Sequence, residues 1–292
     1  MGMDMGIGKS KRKIGIMANC FRVDVTEGIK KAARLGADAV QLNVGARGAV
    51  SKVWTKGYRS EIRKALEDNG LALSAMCGDL GGHGFQKEED NQWKIEETAR
   101  MLELTREMGS KVLTSHIGVV PQDEGNPRFK VMQDAMSRLG EYAKQEGVRV
   151  AIETGPEPTE TLAKFLEGLP EGWVGVNYDP ANLRMVCGVD PVKGVAALKG
   201  KIYHTHVKDG KMLRYVGPEK VYGYFADGGI EDIRMEECFV ETPLGEGEVD
   251  LPAWFKALDE IGYDGYYTIE REVGQNPEAD IAMAVEFIKT HG

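Results

Sequence analysis

The sequence predicts an α/β fold of the (β/α)₈ TIM-barrel class, and three observations predict it. Short apolar runs alternate with amphipathic stretches eight times. That alternation implies parallel strands joined by crossover helices. No linker interrupts the eight units, and 292 residues suit one barrel. The turn after the first strand, "ANCFRVDV", carries no GxGxxG fingerprint, which disfavours the open, doubly wound alternative.

Each unit has its own signal. "KIGIMANC" reads as the first strand and "VTEGIKKAARLG" as a helix ended by Gly36. "AVQLNVG" is the second strand; "SEIRKALEDNG" is a helix closed by Gly70. "LALSAMCG" precedes the long helix "NQWKIEETARMLELTREMG", with a glycine C-cap at Gly109. "KVLTSHIG" leads to "FKVMQDAMSRLGEYAKQEG", and "VRVAIETG" to "TETLAKFLEGL". "VGVNYDP" leads to "PVKGVAALKG". "IYHTHVKDG" is followed by a long loop over residues 210–242 and then "LPAWFKALDEIG". "YYTIERE" and "DIAMAVEFIKTH" complete the set. The chain, 1–292, therefore reads as one domain, with 1–12 as a disordered leader.

Composition narrows the function classes. The formal net charge is -9, whereas duplex binding rests on Lys and Arg neutralising phosphates, so nucleic acid is not the expected partner. No run approaches the roughly 20 apolar residues of a membrane span. The four cysteines form no CxxC pair, which fits scattered reduced thiols in a cytoplasmic protein.

Side chains alternate along a strand. In "VRVAIETG", Glu153 shares a face with Arg149 and Ala151; in "VGVNYDP", Asp179 follows Gly175 and Asn177. In "IYHTHVKDG", His204, His206 and Lys208 share one parity; in "YYTIERE", Glu270 follows Tyr266 and Thr268. The more polar face of each strand is expected to line the lumen, with its ionisable members at the C-terminal ends, where such barrels place their active sites. Strands five to eight then deliver Glu153, Asp179, His206 and Glu270 to one point.

Three clustered carboxylates raise each other's pKa values, and a divalent cation removes the conflict. Three oxygen ligands and one imidazole suit Mn²⁺ first, then Co²⁺ or Mg²⁺; Zn²⁺ is the alternative, although its structural sites favour Cys and His. Taken singly, each residue has a plainer reading: Asp179 before Pro180 as turn chemistry, His206 as a satisfied core histidine, Glu153 as a partner of Arg149.

"AIETGP", "VNYDPANL", "HTHVKDG", "PLGEGEVDLPAWFKAL" and "YDGYYTIERE" resemble the xylose isomerase-like barrel superfamily. Within it they are similar to the sugar phosphate isomerase/epimerase group, which also includes inosose dehydratases, ketose epimerases and endonuclease IV. The resemblance implies Glu153, Asp179, His206 and Glu270 as metal ligands, with His206 rather than His204 matching the family histidine. Many members carry His three residues after the aspartate; here that position is Asn182. The group is often dimeric or tetrameric, which implies a homo-oligomer.

These readings lead to a metal-dependent sugar or sugar phosphate isomerase or epimerase acting on a small sugar or polyol. Glu153 and Glu270 exchange a proton with carbon through an enediolate. His116 and Asn182 orient hydroxyls, and Lys208 and Arg271 take a terminal phosphate. His204, Asn43, His83 and Trp54 complete the expected substrate contacts. The rival readings are a dehydratase using the same metal and base, an endonuclease IV-like repair enzyme, for which five histidines are few, and a non-catalytic binding barrel. The 210–242 loop is expected as a lid, an oligomer contact or a surface excursion.

Overall fold

The structure, a computed structural model, describes residues 12–230 and 233–291. Its strands are β1 (Lys13–Met17), β2 (Ala39–Asn43), β3 (Ala72–Cys77), β4 (Val112–Ser115), β5 (Arg149–Glu153), β6 (Val174–Tyr178), β7 (Ile202–Val207), β8 (Asp209–Met212), β9 (Phe239–Thr242) and β10 (Tyr266–Ile269). Eight of them close into a parallel barrel in the order β1-β10-β7-β6-β5-β4-β3-β2. β8 and β9 pair antiparallel outside the ring. The barrel class expected from the alternation is the one observed.

Strand parity sorts the side chains. Ile14, Ile16, Val40, Leu42, Leu113, Val150, Ile152 and Val176 are buried in one continuous apolar core. The lumen, by contrast, holds a hydrogen-bonded polar layer in place of the branched aliphatic layers common in barrels. His204 Nδ1 meets Asn177 Oδ1 at 2.9 Å, and its Nε2 meets Thr268 Oγ1 at 3.0 Å. Gln41 donates to Thr114 Oγ1 at 2.9 Å. Buried polar groups of this kind stand only when partnered. Gly15 makes room for the layer: a Cβ there would lie 2.4 Å from Thr268 Oγ1.

Several helices begin earlier than their apolar periodicity predicts, because caps decide the start. Thr55 accepts from the Tyr58 amide and opens the helix Lys56–Asp68; Asn126 accepts from the Arg128 amide and opens Pro127–Glu146. Residues 1–11 of the expected leader lie outside the described residues. Arg12 is instead buried: its guanidinium sits 4.9 Å from the Phe255 ring centre and pairs with Asp259. No helix among the described residues is long and apolar enough to cross a membrane.

The 210–242 segment is more ordered than the bare loop expected. β8 and β9 form a stem with Asp209 opposite Thr242 and Met212 opposite Phe239, and a helix spans Pro218–Asp227. Its base is closed by one carboxylate. Asp209 accepts from the amides of Gly210, Gly245, Gly247 and Val249 at 2.8–3.1 Å. That explains the pairing of "KDG" with "PLGEGEVD" in one sequence: a Cβ on Gly247 would fall 1.9 Å from Asp209 Oδ1. Replacing Asp209 by Ala leaves these amides without their charged acceptor and is expected to lower stability by about 2–4 kcal/mol, measured by urea unfolding.

Candidate metal centre

Four strand ends build the site. Glu153 terminates β5, Asp179 follows β6, His206 lies near the end of β7, and Glu270 follows β10. Each offers one ligand atom, and these atoms all lie within 4.8 Å of one another. His206 Nδ1 is 3.2 Å from Glu153 Oε1, 3.3 Å from Glu270 Oε2 and 3.9 Å from Asp179 Oδ2. All four residues are buried.

Neighbouring side chains set the orientation. The Asn177 amide nitrogen donates to Glu153 Oε2 at 2.8 Å, and Asn182 donates to Glu153 Oε1 at 3.2 Å. His206 Nε2 meets Gln41 Oε1 at 2.9 Å. The Gln41 amide nitrogen is committed to Thr114, so its oxygen faces the ring and takes the Nε2 proton. Nδ1 is then the nitrogen aimed at the carboxylates, and it would ligate an ion on giving up its proton, the orientation a ligating histidine needs. Asp179 Oδ1 accepts from the Asn182 amide at 2.9 Å and caps the short turn Pro180–Asn182. Asp179 Oδ2 is buried with no hydrogen-bond partner.

The charges are in conflict. Burial opposes ionisation of Glu153 and Glu270. Together the charges of His206 and His116 and the His206 hydrogen bond overcome it at Glu153, and the charges and hydrogen bonds of His206 and Lys208 do so at Glu270, so both carboxyls lie below their ordinary range. Burial likewise opposes the charged form of His206, but Glu153 and Glu270 hold it well above the usual imidazole value. Asp179 has no such relief. Burial pushes it up to about 8; Lys208, 4.0 Å away, offsets part of this, while Glu153 and Glu270 add to it. A buried carboxylate oxygen without a donor is one that a cation would satisfy. Three carboxylates and a neutral imidazole form a mostly hard donor set that fits a divalent ion of the Mg²⁺ or Mn²⁺ type.

Above the centre opens a cavity of about 670 Å³. Glu153, Glu270, Asn182, His116, Lys208 and His83 line it, so the structure brings these predicted residues together. His116 Nε2 stands 4.0 Å from Glu153 Oε1, and its ring meets Tyr222 edge-on at 5.9 Å. Burial lowers the His116 pKa, yet nearby carboxylates, Glu153 first, raise it further, and the net shift is upward. His83 Nε2 bonds Asp227 at 2.8 Å and so ties the loop after β3 to the end of the helix Pro218–Asp227.

Four expected substrate contacts lie elsewhere. His204 is enclosed in the lumen layer beneath the site by Asn177, Ser74 and Thr268. Trp54 is buried in the apolar core, its indole N–H donating to the Val44 carbonyl at 2.8 Å. Asn43 is exposed at the end of β2 and does not line the cavity. Arg271 points away from the lumen, buried between Glu241 and Asp280 at 2.8 Å each. Nor is Lys208 a free cation: its ammonium lies 2.8 Å from Glu270 and 2.6 Å from Glu272. The expected phosphate pair of Lys208 and Arg271 is thereby corrected, since both already carry carboxylate partners. Gln41 and Glu241 were missing from the predicted site. Strand parity exposed the first; no local signal marks the second.

Fold and site together define a parallel barrel with a carboxylate–imidazole centre at the C-terminal mouth. The chain belongs to the xylose isomerase-like TIM barrel family, whose profile matches residues 29–291. Among curated relatives, the L-ribulose-5-phosphate 3-epimerase UlaE of Escherichia coli (strain SMS-3-5 / SECEC) is 24% identical over 277 residues, spanning 90% of this chain and 88% of the relative. A xylose isomerase domain protein from Planctomyces limnophilus superposes with a TM-score of 0.78 at 22% identity, covering 96% of this chain and 97% of its own. A xylose isomerase-like TIM barrel protein from Mycobacterium smegmatis, solved in complex with magnesium, gives 0.68 at 16% identity, with 96% of each chain covered.

Two measurements follow from this geometry. Mn²⁺ or Mg²⁺ is expected to raise the melting temperature of the wild type, and Asp179→Ala to abolish that shift. Behind the site, Glu157 is buried with Oε2 on the Val120 amide at 3.2 Å and Oε1 unpartnered. Burial pushes its pKa from 4.5 up to about 8, the Val120 hydrogen bond offsetting only part. Between those values the native state keeps a proton that the unfolded chain has released. Stability therefore falls as pH rises through this window, and Glu157→Gln is expected to flatten the fall in pH-dependent urea unfolding.

Proposed function

We propose that this barrel is a divalent-metal-dependent sugar isomerase or epimerase that works by proton transfer at carbon. One observation carries the reading: Glu153, Asp179, His206 and Glu270 present their ligand atoms within 4.8 Å of one another, and Glu153 and Glu270 line a cavity of about 670 Å³. The similarity to sugar epimerases such as UlaE and to a magnesium-bound barrel supports it. The four residues would hold Mn²⁺, with Co²⁺, Mg²⁺ or Zn²⁺ as alternatives. A bound ion supplies Lewis acidity to a carbonyl oxygen.

The protein's own groups do the rest. Glu153 and Glu270 enter the site from strand ends separated by β6 and β7, so they approach a substrate from different sides. One takes the proton from the carbon beside the carbonyl, leaving an enediolate on the sugar, and the other returns one. Asn182 and His116 line the cavity beside Glu153 and orient hydroxyls. Lys208 bridges Glu270 and Glu272 and holds Glu270 in place. We read the chain as one barrel domain of cytoplasmic carbohydrate metabolism, acting on a small sugar or polyol as a homo-oligomer.

Turnover of ketose substrates in deuterated water tests the reading. The expected result is deuterium at the epimerised carbon and an unchanged product mass otherwise. Loss of water from the product would instead indicate a dehydratase, and epimerisation without exchange would exclude the proton-transfer route. Glu153→Gln is expected to keep metal binding and lose about 10²–10⁴-fold in kcat, the range for removing a positioned acid–base group.

A further inference from the structure

The walls of the cavity differ from its floor. Below stand Glu153 and Glu270; above, Val221, Phe225, Met235, Phe239 and Val240 of the 210–242 excursion face the opening, with Val273 on the loop after β10. Phe225, Val240 and Val273 are 61%, 39% and 47% exposed. Single exposed apolar side chains are ordinary, but a group of them around one opening marks a binding surface. At about 670 Å³, the cavity falls within the roughly 300–1,000 Å³ of pockets that enclose drug-sized ligands. The carboxylate–imidazole centre lies at its base, and Asp79, His83, Gln86 and Glu236 line it as well.

The charge pattern is equally specific. Among the described lining residues Lys208 is the only Lys or Arg. It bonds Glu270 and Glu272 and lies 3.7 Å from Glu241. Barrels of this class commonly hold phosphate at the loops after the seventh and eighth strands and at a helix N-terminus there. Here the last of those loops presents Glu272 and Val273 to the cavity, and the helix Pro277–His291 opens with Glu278 and Asp280 in its first turn. Asp79 and Glu236 place further carboxylates on the lining. A phosphate would find no unengaged Lys or Arg on this lining and would meet like charges.

We infer, building on the proposed epimerase reading, that the substrate is an unphosphorylated sugar carrying an apolar extension: a keto-glycoside with an aromatic or alkyl aglycone. The sugar ring sits at the carboxylate–imidazole centre, and the aglycone packs on Phe225, Met235, Phe239 and Val240. The ionic floor selects the hydroxyl-bearing part of the ligand, the apolar rim the remainder.

Calorimetric titration of the Mn²⁺-loaded protein with three matched probes tests this: methyl 3-keto-glucopyranoside, its phenyl counterpart and the methyl glycoside 6-phosphate. The phenyl probe is expected to bind about 10-fold tighter than the methyl probe and the phosphate about 10-fold weaker, steps of about 1.4 kcal/mol each. In Phe225→Ala/Phe239→Ala the phenyl-to-methyl ratio is expected to collapse to about one. Should that variant unfold, Phe225→Ala alone, at a 61% exposed position, supplies the same readout. Equal binding of phenyl and methyl probes, a tighter phosphate, or a ratio that survives the substitutions would overturn the inference. So would a dimer, seen by sedimentation, that the rim substitutions dissolve, because the apolar wall would then belong to a second copy of the chain. Deuterium exchange into the methyl probe separates the two readings. Exchange without aglycone preference overturns the inference and leaves the epimerase. Aglycone preference without exchange supports the inference and removes the proton-transfer reading.

Discussion

Three carboxylates and an imidazole buried at one end of a closed ring of strands are the constraint on which the rest of the structure depends. Charges removed from water must be paired or coordinated. His206 lies within 3.9 Å of all three carboxylates through a single nitrogen, and Lys208 supports Glu270 from the other side. What remains uncompensated is one oxygen of Asp179. The lumen below follows from the same demand. Gln41 must face His206 with its oxygen, Asn177 must reach Glu153, and His204 must satisfy Asn177 in turn. A polar layer results where a barrel ordinarily stacks aliphatic side chains, and Gly15 leaves the space that layer occupies.

The two sides of each strand divide the work. Outward residues such as Val150, Ile152 and Val176 build the apolar core, while inward ones carry chemistry. The excursion between β8 and β9 then closes over the chemistry without supplying a ligand. Its helix is held at one end by Arg128 on Glu219 and at the other by Asp227 on His83. The cavity thus owes its depth to the barrel and its breadth to an addition on one loop.

Legibility in the sequence followed the same division. Side-chain alternation is local, so parity plus position at a strand end was enough to select Glu153, Asp179, His206 and Glu270, the four whose ligand atoms the structure brings together. Contacts made by loops are not local. Arg271 reads as a phosphate contact until Glu241, thirty residues earlier, and Asp280, on the next helix, are seen to enclose it. Trp54 reads as a pocket aromatic, yet the Val44 carbonyl gives its indole a buried partner in the core. His204 shares the parity of His206 but sits one layer deeper, a difference of height along the barrel axis that alternation alone does not distinguish. Helix starts differ for a related reason: Thr55 and Asn126 set where a helix begins by capping it, whereas periodicity registers only the face that packs.

The Asp209 clasp has a consequence for how such a barrel diversifies. Four amides converge on one side chain at the root of the hairpin, and just beyond it the Leu213 and Arg214 amides both close on the Cys238 carbonyl. The segment distal to that neck is anchored there beside the strand that carries His206, and its helix meets the barrel's other loops through His83 and Arg128. Because loop-closure entropy grows only slowly with length, the tip can be lengthened, shortened or exchanged while the neck stays sealed. The molecule is therefore organised as a fixed reactor with an interchangeable hood, and new ligand preferences can arise by rewriting the hood alone.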